Sequence, residues 1–245
     1  MHSKLYDKIL KLSKEGKKQF AVLIDPDKSE FLSEIIKEAE SAKVDYFFLG
    51  GSLLTTDHLD KCVSEIKKHS TIPVILFPGN LLKISTKADA VLFLSLISGR
   101  NPDLLIGQHV ISAPLIKSSH LDVLPTGYIL VDGGKTTTAS YISNTQPIPA
   151  DKEDIAACTA MAGEMLGMKL IYVDAGSGAK NPITEKVIKK IKHNISVPLI
   201  VGGGIDSSEK VSSACNAGAD IIVVGNAIEK NPSLIRKLSK AIKKQ

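Results

Sequence analysis

Residues 197–226, VPLIVGGGIDSSEKVSSACNAGADIIVVGN, hold one complete unit of the architecture. An apolar run (VPLIV, 197–201) ends in three glycines, a stretch with helical spacing follows, and a second apolar run (DIIVV, 220–224) ends in Gly225 and Asn226. Runs of this length that are apolar at consecutive positions suit strands of a parallel sheet covered on both faces. Working outward, similar runs recur at 20–24 (FAVLI), 45–49 (DYFFL), 73–77 (PVILF), 90–95 (AVLFLS), 127–131 (GYILV) and 169–173 (KLIYV). Eight parallel strands with intervening helices predict a closed (β/α)8 barrel of the TIM type. A doubly wound sheet usually has fewer strands and a glycine fingerprint after the first, whereas here the first strand ends in Asp25-Pro26-Asp27-Lys28.

Length and composition agree. A chain of 245 residues, 43% hydrophobic and 23% charged, reads as one domain over 1–245, since strand-helix barrels run to about 250 residues without splitting. No window nears roughly 18 uninterrupted apolar residues, and residues 1–18 form a charged amphipathic stretch without a signal core, so neither a membrane span nor secretion is expected. Cys62, Cys158 and Cys215 fall in helical segments, cannot all pair and form no CxxC, which suits reduced thiols in a cytoplasmic protein. The net charge of +5 owes much to terminal lysines; Lys237, Lys240, Lys243 and Lys244 suit the wet face of a last helix. With two arginines, Arg100 and Arg236, and no Trp, the chain lacks the patch expected of a nucleic-acid binder. Peripheral contact with anionic lipid head groups, or phosphorylated substrates, explains the balance equally well.

Most crossovers have room for a helix, as at 28–43 and 182–193. Between the third and fourth strands only residues 78–89 remain, and turns consume several of them, so the third helix is expected to be missing or reduced. Its loss would open an apolar groove on the barrel flank. The segment 132–150 (DGGKTTTASYISNTQPIPA) is long and polar and reads as a mobile loop at the barrel mouth, acting as a lid.

Function in such barrels sits at the C-terminal ends of the strands. There the chain places Asp25 and Asp27, Gly50-Gly51-Ser52, Pro78-Gly79-Asn80, Ser98-Gly99-Arg100-Asn101, Asp174 to Gly178, Gly202 to Gly204, and Gly225-Asn226. Glycine turns after strands seven and eight, each opening a helix, expose backbone amides to a phosphate, and Gly176-Ser177-Gly178 can close the cradle. Asp25 and Ser52, on neighbouring strands, are oxygen donors for a hard cation such as Mg2+, which needs few protein ligands when substrate phosphates supply the rest. Asp27 or Ser29 can cap the next helix, leaving Asp25 free. Asp174 is a candidate general base, with helix capping as the alternative, and Asp132 shares that ambiguity. Arg100 could clamp a diphosphate or form a surface ion pair. The histidines show no ligand spacing, and His109 alone merits a test.

The set FAVLIDPDK (20–28), FFLGGSLLT (47–55), PVILFPGN (73–80), LSLISGRNP (94–102), YVDAGSGA (172–179), VGGGI (201–205) and VVGNAIE (223–229) resembles the geranylgeranylglyceryl phosphate synthase family, which includes heptaprenylglyceryl phosphate synthases. The resemblance spans nearly the whole chain. It implies a barrel lacking its third helix, and Mg2+-dependent transfer of a long prenyl group, most simply geranylgeranyl, from its diphosphate to the 3-hydroxyl of sn-glycerol 1-phosphate. It also implies a homo-oligomer. Carried over by motif, Asp25 and Ser52 would hold magnesium, with Asp25 and Asp174 catalytic. Tyr172, Val173, Asp174, Ala175, Gly176, Ser177, Gly178, Gly203, Gly204, Gly225 and Asn226 would bind glycerol 1-phosphate. Lys28 and Arg100 are candidates for the diphosphate. One departure stands out: the family usually has Glu where this chain has Asp174, a loss of about one methylene of reach. The competing readings are a sugar-phosphate isomerase or lyase, and a non-catalytic protein that binds a phospholigand or lipid.

Overall fold

The computed structural model describes residues 3–28 and 30–245. Eight parallel strands among them close into a barrel in sequence order: β1 (Gln19–Ile24), β2 (Tyr46–Leu49), β3 (Val74–Leu76), β4 (Ala90–Leu96), β5 (Asp122–Leu130), β6 (Leu170–Asp174), β7 (Leu199–Gly202) and β8 (Ile221–Val224). Closure is direct, with Gln19 to Val22 of β1 pairing Ile221 to Val224 of β8. Alternation along the strands makes two cores. Ala21, Phe48, Leu92, Tyr128, Tyr172 and Val223 fill the barrel, while Phe20, Val22, Phe47, Val91, Val173 and Ile222 face the outer helices.

The helix α1 (Lys4–Lys14) precedes the barrel and closes its N-terminal end with Leu5 and Ile9. Ser3 caps it by accepting the Tyr6 amide, and the Ser3 hydroxyl and the Leu5 amide both bond to Asp122 at the start of β5. The outer layer comprises α2 (Leu32–Ala42), α3 (Leu59–His69), α4 (Gln108–Ser118), α5 (Thr138–Ile142), α6 (Glu153–Met165), α7 (Glu185–Asn194), α8 (Ser208–Asn216), α9 (Asn226–Lys230) and α10 (Leu234–Ile242). A π-helical turn, Asp103–Gly107, leads into α4. No helix lies between β3 and β4 among the described residues, so the short third crossover has the expected consequence. Lys237, Lys240, Lys243 and Lys244 are exposed.

Two expectations need correction. The fifth strand starts at Asp122, five residues before the apolar run suggested. Pro125 is tolerated inside it because only β4 pairs along this stretch; β6 joins from Thr126 onward. The segment 132–150 is an anchored wall, not a free flap. A capping box at Thr137 and Ser140 starts α5, Ile148 bridges Val131, and the Gly133 carbonyl accepts the amides of Lys180 and Asn181. On its far side Asn101 donates to the Ser143 carbonyl.

Candidate active site

A cavity of about 830 Å³ opens at the C-terminal end of the barrel, walled by the ends of β1, β2, β6, β7 and β8. Gly176, Ser177, Gly178, Gly203, Gly204, Gly225 and Asn226 line it together, although they come from three separate loops. The Ser177 hydroxyl donates to Asn226 Oδ1 at 2.8 Å and joins the β6 loop to the start of α9. Gly203 has φ +82°, and a Cβ there would stand 2.6 Å from Asp174 Oδ1 and 2.8 Å from the Ala175 and Gly176 nitrogens, so a side chain is excluded. The glycines after β7 do not open a helix as expected. Ile205, Asp206 and Ser207 intervene, and α8 is capped by its own Ser207, so what these glycines present to the cavity is loop backbone rather than that helix terminus.

Asp174 lies in the cavity wall, 6% exposed. Its Oδ2 accepts the Tyr128 hydroxyl at 2.6 Å and its Oδ1 accepts the Gly176 amide at 2.8 Å. Burial raises its pKa above the ordinary carboxylate value, opposed by those two hydrogen bonds. Capping is excluded, since α7 is capped by Thr184. Tyr128 packs edge-on against Tyr172 and Phe77, with centroids 5.3 and 5.9 Å away. Burial and the nearby Asp174 push both tyrosine hydroxyls far above their usual pKa, so both stay neutral, and Tyr128 donates to Asp174.

Across the cavity, Asp25 Oδ1 accepts the Asp27 amide at 3.1 Å, and Lys28 Nζ sits 2.9 Å from Asp25 Oδ2. Gly51 passes beside the Asp25 carboxylate, and Ser52 lines the same cavity. Glu229 of α9 accepts the Asp25 amide at 3.3 Å and lies 3.6 Å from Lys28 Nζ. Burial raises the Glu229 pKa, opposed chiefly by Lys28. Burial disfavours the Lys28 ammonium, yet the bond to Asp25 and the charge of Glu229 outweigh it and raise its pKa. Asp27 does not cap α2. Its carboxylate accepts both hydroxyls of Thr55 and Thr56 and the Thr55 amide, which lowers its pKa to about 2, with the Thr56 hydroxyl the largest cause. The residue before α2, Phe31, offers no side-chain cap, and Ser29 lies outside the described residues.

A second cavity of about 290 Å³ adjoins the first at the barrel mouth, between the loop after β3 and the 101–109 segment after β4. Phe77, Leu81, Leu94, Leu96, Leu104, Leu130 and Ile142 make most of it apolar, and it shares Gly51, Ser52, Phe77, Tyr128 and Ala139 with the polar cavity. His109 is buried in its wall, with Nε2 3.1 Å from Ser95 Oγ, Nδ1 unpartnered and the ring edge-on to Phe93; burial lowers its pKa.

Some candidates are not brought together. Val173 and Ala175 point into the outer core. The Arg100 guanidinium turns back onto the Gly99 and Ile97 carbonyls and lines neither cavity. Asp132 is exposed and closes a local turn by accepting the Gly134 amide. Sequence reading missed Tyr128 and Glu229. Both stand inside recognised stretches, GYILV and VVGNAIE, but their partners are visible only after closure.

Comparison with known proteins follows the same lines. Residues 13–244 match the PcrB family. A geranylgeranylglyceryl phosphate synthase of Chitinophaga pinensis is 58% identical over 244 residues, covering 99% of this chain and 97% of that protein. One from Pyrococcus furiosus is 43% identical over 223 residues, covering 90% and 88%. The crystal structure of (S)-3-O-geranylgeranylglyceryl phosphate synthase from Thermoplasma acidophilum, in complex with its substrate sn-glycerol-1-phosphate, superposes with a TM-score of 0.93 at 31% identity over the full length of both chains.

Proposed function

The chain belongs to the PcrB family, and on that premise we propose that it joins a long-chain prenyl diphosphate, geranylgeranyl diphosphate in the first instance, to the 3-hydroxyl of sn-glycerol 1-phosphate. The observation that carries this reading is the shared wall between a glycine-lined polar cavity and an apolar groove. A phosphate on the loop amides of Gly203, Gly204, Gly225 and the 176–178 loop would fix the glycerol with its far hydroxyl toward Asp174. The prenyl tail would lie in the groove, its diphosphate head at the Asp25, Ser52 and Lys28 side.

The reaction balances within these groups. The carbon–oxygen bond to diphosphate breaks, the ether bond to the glycerol oxygen forms, and the hydroxyl proton passes to ionised Asp174. Burial raises the Asp174 pKa above that of an ordinary carboxylate, which makes the ionised group a stronger base. The donor set fits magnesium: a carboxylate and a hydroxyl on adjacent strand ends, with a diphosphate to complete the shell. When bound, the ion would stabilise the departing diphosphate. Lys28 already faces that position, whereas Arg100 reaches it only if its own turn rearranges.

A homo-oligomer is part of the same proposal, supported by the exposed apolar face of the 103–118 segment, Ile106, Val110, Ile111 and Leu115. Among the described residues no helix is long and apolar enough to cross a membrane. The three cysteines are free, and burial pushes the Cys62 and Cys215 thiols up to about 12 and about 11, which suits the reduced, cytoplasmic setting we propose. Lipid contact would be peripheral. The decisive test incubates the protein with labelled glycerol 1-phosphate, geranylgeranyl diphosphate and magnesium, then extracts into organic solvent. Ether-lipid product is expected, lost with EDTA and on Asp25→Asn; product that persists in EDTA refutes the metal assignment.

A further inference from the structure

The two oxygens of Asp25 are not equivalent. Oδ1 is engaged by the Asp27 amide within the turn, so Oδ2 is the oxygen left to meet a cation, and Lys28 Nζ holds it at 2.9 Å. A divalent ion that takes Oδ2 must therefore displace the ammonium, since two cations sharing one carboxylate oxygen repel strongly. Lys28 need not leave the cavity when displaced. Glu229 Oε2 stands 3.6 Å from the same nitrogen, on a side chain only 12% exposed, and its other oxygen is tied to the Asp25 backbone. The Lys28 side chain is 55% exposed, so its stem has room to turn once the ammonium is displaced, whereas the Glu229 side chain is held by its burial.

We propose that Lys28 is a built-in counter-ion that keeps the divalent-cation position on Asp25 occupied until the ion arrives, and that Glu229 is the positioning residue that receives it on exchange. The inference rests on the prenyl-transfer reading for the purpose of the exchange, which turns the released ammonium toward the diphosphate that arrives with the ion. Without Glu229, Asp25 is the ion-pair partner left to Lys28 among the described residues, and the lysine yields it less readily.

Manganese is the probe, an oxygen-seeking stand-in for magnesium whose free form is counted directly by electron paramagnetic resonance. No prenyl donor is present. Lys28→Met, at an exposed side chain, should tighten Mn2+ binding about tenfold. Glu229→Gln should weaken it about tenfold in the otherwise unaltered protein, but less than threefold in the Lys28→Met background, because its effect runs through the lysine. A purely structural role for Glu229 would give the same loss in both backgrounds, and that result overturns the proposal. So does a Lys28→Met protein that binds Mn2+ no more tightly, or an unaltered protein that binds none at millimolar concentration. Product formation without the Mn2+ pattern refutes the exchange alone; the Mn2+ pattern without product from any donor refutes prenyl transfer alone.

Discussion

Tyr128→Phe isolates the proposed base. The substitution keeps the ring between Phe77 and Tyr172 and removes one oxygen, the hydroxyl that donates to Asp174 Oδ2 at 2.6 Å. A hydrogen bond to a charged group contributes about 1.5–3 kcal/mol, and each 1.4 kcal/mol is a factor of ten in rate. At pH 7 kcat/KM should therefore fall roughly 10- to 150-fold. The loss should also depend on pH. The hydroxyl favours the ionised carboxylate against the burial that disfavours it, so removing it raises the Asp174 pKa further and shifts the acid limb of the pH profile upward. Above that limb the carboxylate is ionised in both proteins, and only the loss of orientation remains, so the deficit should narrow as pH rises. The assay is the organic-extraction measurement of product between pH 5.5 and 9. An unchanged acid limb, or a rate within twofold of the unaltered protein at pH 6, would show that Asp174 does not work as a base held by Tyr128.

Asp174→Asn should abolish turnover yet gain stability at neutral pH. A carboxyl whose folded pKa is raised contributes stability that is full below its unfolded pKa and is lost as pH rises through the folded value, so the Tm difference in favour of the variant should grow as pH rises above the ordinary aspartate range and level off once the folded carboxyl has ionised, as read by calorimetry. Gly203→Ala forces a side chain into left-handed backbone, at about 1–2 kcal/mol, and against Asp174; titration calorimetry should show glycerol 1-phosphate binding weakened more than tenfold. Gly167→Ala is the control: φ is +92° but nothing lies within 4 Å of a Cβ, so Tm should drop while binding stays within twofold. Shortening the donor from twenty to ten carbons removes apolar surface worth about 0.8 kcal/mol per buried CH2, and kcat/KM should fall at least about 100-fold even if only half of those carbons are buried. An equal rate with the short donor would take the groove out of the reaction.

What could be read from the chain alone were features set by neighbours in sequence. Strands buried on both faces must be apolar throughout, so the stretches 46–49 and 221–224, each set off by a preceding aspartate, announced themselves. A crossover of a dozen residues cannot hold turns and a helix, so the gap after β3 was legible as well. Glycine and aspartate at strand ends marked the rim. Boundaries set by pairing were not legible, and Asp122 to Thr126 became strand only because β4 lies beside them.

The chemistry of the site was decided by closure. Tyr128 reaches Asp174 because β5 pairs with β6 in the register that sets Leu130 beside Asp174, and no spacing along the chain encodes that meeting. Lys28 and Glu229 lie near opposite ends of the sequence and face each other only because β1 pairs with β8. The polar segment 132–150 looked mobile because its anchors, Asn101, Lys180 and Asn181, belong to other loops. Local patterning records what a residue needs from its neighbours in the chain. Which charges, hydroxyls and amides share a cavity, and so which protons and ions they can hold, is determined by the distances that folding imposes.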